Sequence, residues 1–193
     1  ATLVGDHSAD DELDRVDAAA RNEKLALLKE YEGALKALDF DVLSRANQVD
    51  AALLLHELES GIWKIETLQE WAWNPLYYVD MSGSAIYALM ARDFAPIEQR
   101  LMAAASRLEQ LPRFLEQARG SIELDRVPKI HAETAIRQNP GLSSIIEAMI
   151  VPNMVFVVLP PNTMRFGPVL NRTASAGITI SRVFKTLVAR SVC

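Results

Sequence analysis

Apolar residues return every third or fourth position over two long stretches, and that spacing commits the first part of this chain to helix. Leu13, Val16 and Ala20 begin one stripe, and Leu25, Leu28, Tyr31, Leu35 and Leu38 continue it with a small change of phase. Ser8 and Asp11 have the spacing of a capping box, so a helix is expected over 12–38. Asp39-Phe40-Asp41 breaks it, and Asp41 can cap a second helix over 42–71. The inward face of that helix would be Val49, Leu53, Leu54, Leu58, Ile62, Ile65 and Leu68. Two such helices across a short connection make an antiparallel hairpin, with Leu28, Leu35, Leu53, Ile62 and Leu68 expected in the shared interface.

Shorter helices should follow. Trp71 to Tyr78 interrupts the pattern, because Pro75 pushes Asn74 out of helical geometry. A helix over about 83–92 comes next, and Pro96 opens another with Ile97, Leu101, Ala104, Leu108 and Leu111 as its stripe. Pro112 should start a separate short helix that Gly120 caps, and Pro128 one that ends before Pro140, with one or two more turns from Gly141 to Ile150. The fold expected over 1–150 is all-α.

The composition changes near Glu147. Residues 1–147 carry a net charge of −10, whereas 148–193 hold five basic side chains, no acidic one and four of the nine prolines. Val151 to Leu159 reads as a strand or a buried extended segment, and Ile178 to Val192 as a short basic helix or strand. The tail over 151–193 is therefore either a separate segment or one never selected to complete the fold, irregular or partly extended. It is expected to be the least ordered part of the chain.

Several function classes drop out. The one cysteine, Cys193, excludes a disulfide framework, a Cys-based zinc finger and an iron–sulfur centre. A net charge of −5 argues against nucleic-acid binding. No apolar run has the length of a membrane span, and no signal peptide is visible, so the compartment is left open. His56-Glu57-Leu58-Glu59-Ser60 begins like the H-E-x-x-H zinc motif, but position 60 is Ser where a second imidazole is needed one turn later. His7, His56 and His131 are the only histidines, too far apart in sequence to suggest a metal site.

Functional groups are densest in His131-Ala132-Glu133-Thr134-Ala135-Ile136-Arg137-Gln138. On a helix, His131, Thr134 and Arg137 share a face and Glu133 can pair with Arg137. The stretch is either a polar wall of a ligand cleft or a solvent-facing helix that packs through Ala135 and Ile136. The aromatic cluster Trp71, Trp73, Tyr77 and Tyr78 likewise lines a pocket or forms the corner of a core.

A family resemblance rests on pieces in a set order. They are Ala1-Thr2-Leu3-Val4-Gly5-Asp6-His7, Asn74-Pro75 with its aromatic surround, and Arg92-Asp93-Phe94-Ala95-Pro96. Arg100, Arg107-Leu108 before Leu111-Pro112, and Pro128 to Ile136 with Gln138 and Gly141 complete them. Over about residues 1–150 the chain resembles the N-terminal half of the bacterial domain-of-unknown-function family 885. The resemblance implies a longer, mainly helical protein similar to zinc metallopeptidases, whose H-E-x-x-H-type motif lies downstream of the matched part.

It also implies a chain clipped at its start, with a tail such as a frameshift would produce. No catalytic or metal ligand carries over, and zinc is expected only in full-length members. His131 and Glu133 match a family motif and, with Gln138 and Tyr78, are the candidate substrate-cleft residues. The expected role is a helical scaffold fragment of a metallopeptidase-like hydrolase, inactive alone; the other reading is a non-catalytic helical interaction domain. The expected partners are the missing half of the family domain or a second copy, with a peptide as possible substrate.

Overall fold

The first helix begins six residues later than its hydrophobic spacing suggests, and the cause is a side-chain network. In the computed structural model, which describes residues 2–145 and 148, α1 spans Ala18–Lys36. Asp17 is its N-cap, accepting from the Ala20 amide at 2.8 Å. Leu13 and Val16 are buried as expected but lie outside the helix. Their amides donate to side-chain oxygens of Gln110 and Gln117, both at 3.1 Å. Once glutamines satisfy those donors, the segment needs no helical ladder.

Five more α-helices follow: α2 (Arg45–Trp63), α3 (Glu70–Trp73), α4 (Pro75–Met90), α5 (Ile97–Ser121) and α6 (Lys129–Ile145). Among the described residues there is no strand, so the protein is all-α there. None of these helices is long and apolar enough to cross a membrane. The expectations for Val151–Leu159, for Ile178–Val192 and for the tail as a whole lie outside the described residues.

The described chain divides into two compact units, one of residues 2–13, 79–112 and 136–145, the other of 14–78 and 113–135. In the second unit, α1 and α2 form the expected hairpin. Lys29 pairs with Glu66 and Lys36 with Glu59, so residue numbers rise on one helix as they fall on the other. The interface differs from expectation on α2. Ala51 and Leu58 are buried, and Leu28, Leu35, Ile62 and Leu68 are half-buried, but Val49, Leu53 and Leu54 are exposed. Lys36 ends α1 and reaches only to Glu59, so the first turns of α2 run beside the 37–44 connection, where Gln48 Nε2 donates to Phe40 O at 2.9 Å. Ala51 is buried in these same turns, and at about 100° per residue Val49 and Leu53 lie on the opposite side of α2 from it.

The expected helix over 42–71 is broken. After Trp63 the chain makes a π-helical turn, Lys64–Leu68, closed by Gln69 N to Lys64 O at 3.0 Å. Gln69 then turns left-handed, with φ 51°. The carbonyls released by this break find side-chain donors. Trp71 Nε1 donates to Ile65 O at 3.2 Å, Trp73 Nε1 to Leu68 O at 2.9 Å, and the Tyr78 hydroxyl to Trp71 O at 2.6 Å. The aromatic cluster is thus largely helical, and its polar tips hold a corner together. Asn74 alone is extended, and Pro75 opens α4, which is longer than the expected 83–92.

Pro112 does not open a helix, Gly120 does not cap one, and Pro140 does not end one; each lies inside α5 or α6. The physical reason is clearest at Pro112. An interior proline costs about 3 kcal/mol. The stripe Leu108, Leu111, Phe114 and Ala118 keeps its phase across it and is 0–8% exposed. Each large member contributes roughly 1.5–3 kcal/mol, so continuous burial outweighs the lost hydrogen bond.

In the first unit the core is Ile86, Leu89, Met90, Ala104 and Leu108 with smaller neighbours. Arg100 is buried there and holds the turn between α4 and α5. Its guanidinium donates to Ala95 O and Arg92 O, both at 2.9 Å, and to Asp93 Oδ1 at 2.7 Å. One planar fork thereby satisfies carbonyls of the connection after α4, and Arg100 Nη1 also lies 3.4 Å from Met90 O at the end of that helix.

Candidate functional site

Each unit contains one histidine held by a network, and the two networks differ in what they leave free. In the first unit, His7 stacks on Phe94 with ring centroids 3.9 Å apart, and its Nδ1 lies 2.9 Å from Asp10 Oδ2. Thr2 Oγ1 donates to the other Asp10 oxygen at 2.6 Å and accepts from Arg107 Nη2 at 2.9 Å. Arg107 also donates to Ala85 O at 2.5 Å. Here a buried arginine ties the N-terminal segment to α4 and α5. The hydroxyl bonds to the carboxylate and not to the imidazole, so no nucleophile is set up.

The second network centres on His131, near the start of α6. Its Nδ1 lies 2.9 Å from Asn74 Oδ1. The orientation of the Asn74 amide follows from its other partners. Asn74 Nδ2 donates to Glu70 Oε1 at 2.5 Å, and a carboxylate oxygen can only accept there. The Leu76 amide donates to Asn74 Oδ1 at 3.1 Å, which fixes the oxygen end a second time. Asn74 Oδ1 is therefore an acceptor, and His131 Nδ1 must carry the proton.

In the neutral ring that leaves the lone pair on Nε2. Asn74 is buried, His131 is half-exposed, and the Trp73 ring lies 5.5 Å from the imidazole at a tilt of 56°.

The other candidate residues have different surroundings. Glu133 is exposed and lies 3.7 Å from Lys129, one turn back on α6. Thr134 Oγ1 donates to Ile130 O at 2.7 Å. Gln138 is exposed and lies in the part of α6 that belongs to the first unit. Tyr78 is buried, packed edge-on to Phe114 at 6.2 Å, with its hydroxyl committed to Trp71 O. Burial raises its pKa above that of a free phenol. The same holds for Tyr77, where the Glu70 and Asp14 carboxylates add to the effect of burial.

Sequence reasoning missed Glu70 and Asn74 as partners of His131. Asn74-Pro75 was visible as a helix break, but its contact with a residue 57 positions on is not a local signal. Among the described residues, no group of three or more His, Cys, Asp and Glu side chains could hold a metal ion.

These networks gather the sequence pieces that set the chain apart. The N-terminal segment, Phe94 and Arg107 meet in one, and Asn74-Pro75 and His131 in the other. A bacterial protein family of unknown function, DUF885, matches residues 1–163. The chain belongs to DUF885.

Among curated proteins none matches it. A solved structure similar to this DUF885 chain is that of a candidate lipoprotein of unknown function from Shewanella oneidensis, 21% identical, with a TM-score of 0.78. The likeness covers 97% of this chain and 33% of that one. At that identity it shows the fold, and this chain spans a third of the length of its neighbour.

Proposed function

We propose that this DUF885 chain is the helical scaffold part of a metallopeptidase-like hydrolase and that His131 stands on a wall of its substrate cleft. The observation that carries the reading is the Glu70–Asn74–His131 chain of hydrogen bonds, which presents Nε2 of a half-exposed imidazole as an acceptor. Such a nitrogen accepts a hydrogen bond from a peptide N–H while its ring stays fixed. Fixing the ring beforehand spares the cost of orienting it on binding. Trp73 beside it offers an apolar surface for a neighbouring side chain of the peptide. The described residues do not gather the ligands a zinc ion needs, so no step through a metal is assigned to them. In this reading His131 positions a peptide and does not cleave it.

The test is nuclear magnetic resonance of the imidazole nitrogens in the purified chain in mildly alkaline solution. The expected result is the Nδ1–H tautomer for His131, a shift of its Nε2 signal on titration with a blocked alanine tripeptide amide, and loss of both in Asn74→Ala. An Nε2–H tautomer, or a signal unmoved by the peptide, would overturn the reading. With zinc added the chain should release no product from a peptide substrate. Stoichiometric zinc binding with chelator-sensitive hydrolysis would overturn the assignment of scaffold alone.

A further inference from the structure

Two hydrogen-bond acceptors of the second unit flank the Asn74 amide with nothing to accept from. Asn74 Nδ2 occupies one oxygen of Glu70, and Asn74 Oδ1 occupies His131 Nδ1. Glu70 Oε2 and His131 Nε2 are left over, and among the described residues neither has a hydrogen-bond partner. Both residues are partly buried, yet neither atom is shut away from solvent. One buried amide thus holds a carboxylate on one side and an imidazole on the other.

The charge of Glu70 is left uncompensated by the cations of this unit that lie on neighbouring segments. The Glu123 amide donates to Ala72 O at 2.8 Å, which sets the 123–126 turn against α3. Its cation, Arg126, is used by Glu123 and by Gln69. Lys129 lies 3.7 Å from Glu133. Arg21 sits over the Trp71 ring at 4.0 Å and donates to Val16 O and Ser121 Oγ. Asp14 brings a second carboxylate to the same place. Burial raises the Tyr77 pKa, and Glu70 and Asp14 both add to that effect while Arg21 opposes them. A carboxylate partly out of water, with no cation bonded to it, favours a ligand that supplies one.

We infer that the site takes the free amino end of a peptide, with the terminal ammonium on Glu70 Oε2 and the next backbone N–H on His131 Nε2. Both protein atoms are acceptors, and the amino end is where a peptide carries a cation and an N–H one residue apart. The inference rests on the reading of His131 as part of a peptide cleft and adds which end of the peptide lies there.

The test compares three peptides by the His131 nitrogen signals of the full chain at about pH 7, where a terminal amine is mostly charged. They are alanine tripeptide amide with a free amino end, the same peptide acetylated, and an acetylated tripeptide amide carrying lysine. The free amino end should bind at least about tenfold tighter than either acetylated peptide, the size of one charge-assisted hydrogen bond. Glu70→Gln should bring that ratio to about one. A glutamine oxygen still accepts from Asn74 Nδ2, so the Nδ1–H tautomer of His131 should persist in this variant and report that the site is still built. Equal binding of free and acetylated alanine peptides, or a preference that survives Glu70→Gln, would overturn this inference and leave the peptide cleft standing. Tight binding of the acetylated lysine peptide would overturn the choice of the amino end. Signals unmoved by all three peptides would overturn the cleft itself and this inference with it.

Discussion

Two glycines in the hairpin allow the packing of α1 on α2 to be measured with one kind of substitution. Gly33 lies within α1, and a Cβ built there would meet nothing within 4 Å. Gly61 lies within α2, where a Cβ would come 3.1 Å from Leu28 Cδ1 and 3.4 Å from Cδ2. In an exposed helix interior, Gly→Ala stabilises by about 0.8–1.0 kcal/mol. Gly33→Ala should show that full gain. At Gly61 the new methyl sits inside the usual carbon–carbon separation of roughly 3.5–4.0 Å, so Leu28 must move. Turning a side chain some 30° off its rotamer costs about 0.5–1.5 kcal/mol, which cancels the gain and leaves Gly61→Ala near zero.

Thermal unfolding followed by circular dichroism separates the two cases. For a chain of this size, 1 kcal/mol moves Tm by about 2–4 °C, so Gly33→Ala should rise by that amount and Gly61→Ala should not. In a Leu28→Ala background the obstacle is gone, and Gly61→Ala should recover its gain, a coupling of about 1 kcal/mol. Equal gains at both glycines, or no coupling to Leu28, would refute the close approach of the two helices at this point.

Other outcomes follow from single contacts. Asp17→Ala should cost about 1–2 kcal/mol in denaturant unfolding, because it removes the α1 cap and the acceptor for Gln117 Nε2 at 2.6 Å; Asp17→Asn should keep the cap but lose the Gln117 bond, since an amide has one acceptor oxygen where the carboxylate has two. Arg100→Lys should cost about 2–4 kcal/mol, since an ammonium cannot replace the buried fork, while Asp93→Ala should cost under about 1 kcal/mol because the Asp93 side chain is 94% exposed. Burial raises the pKa of both Tyr77 and Tyr78, so the folded chain holds these protons more tightly than the unfolded one. The stability they contribute is complete below the free phenol pKa of about 10 and falls as pH rises beyond it; a Tyr77→Phe, Tyr78→Phe chain should show a shallower alkaline loss.

The hydrophobic spacing of Leu25, Leu28 and Leu35 determines α1 where it packs, and the same is true of the long α5 stripe. Local sequence also determines the break at Asn74, because a proline acts on the residue before it, whereas α2 is capped by Ser44 and not by Asp41. The family pieces were legible in order, and with them the choice of His131 as a residue to examine.

What the chain alone left open depends on partners distant in sequence. Leu13 and Val16 have helical spacing, yet glutamines about 100 residues away satisfy their amides and hold them outside the helix. Pro112 looks like a stop, yet burial on both sides of it is worth more than the bond it removes. Val49 and Leu53 looked inward, yet α2 packs through Ala51 and Leu58 on its other side. The tautomer of His131 is the sharpest case, because it follows from Asn74, which Glu70 and the Leu76 amide orient in turn. Periodicity reports which face of an element is apolar, and only the tertiary structure decides which faces are covered and which polar groups meet.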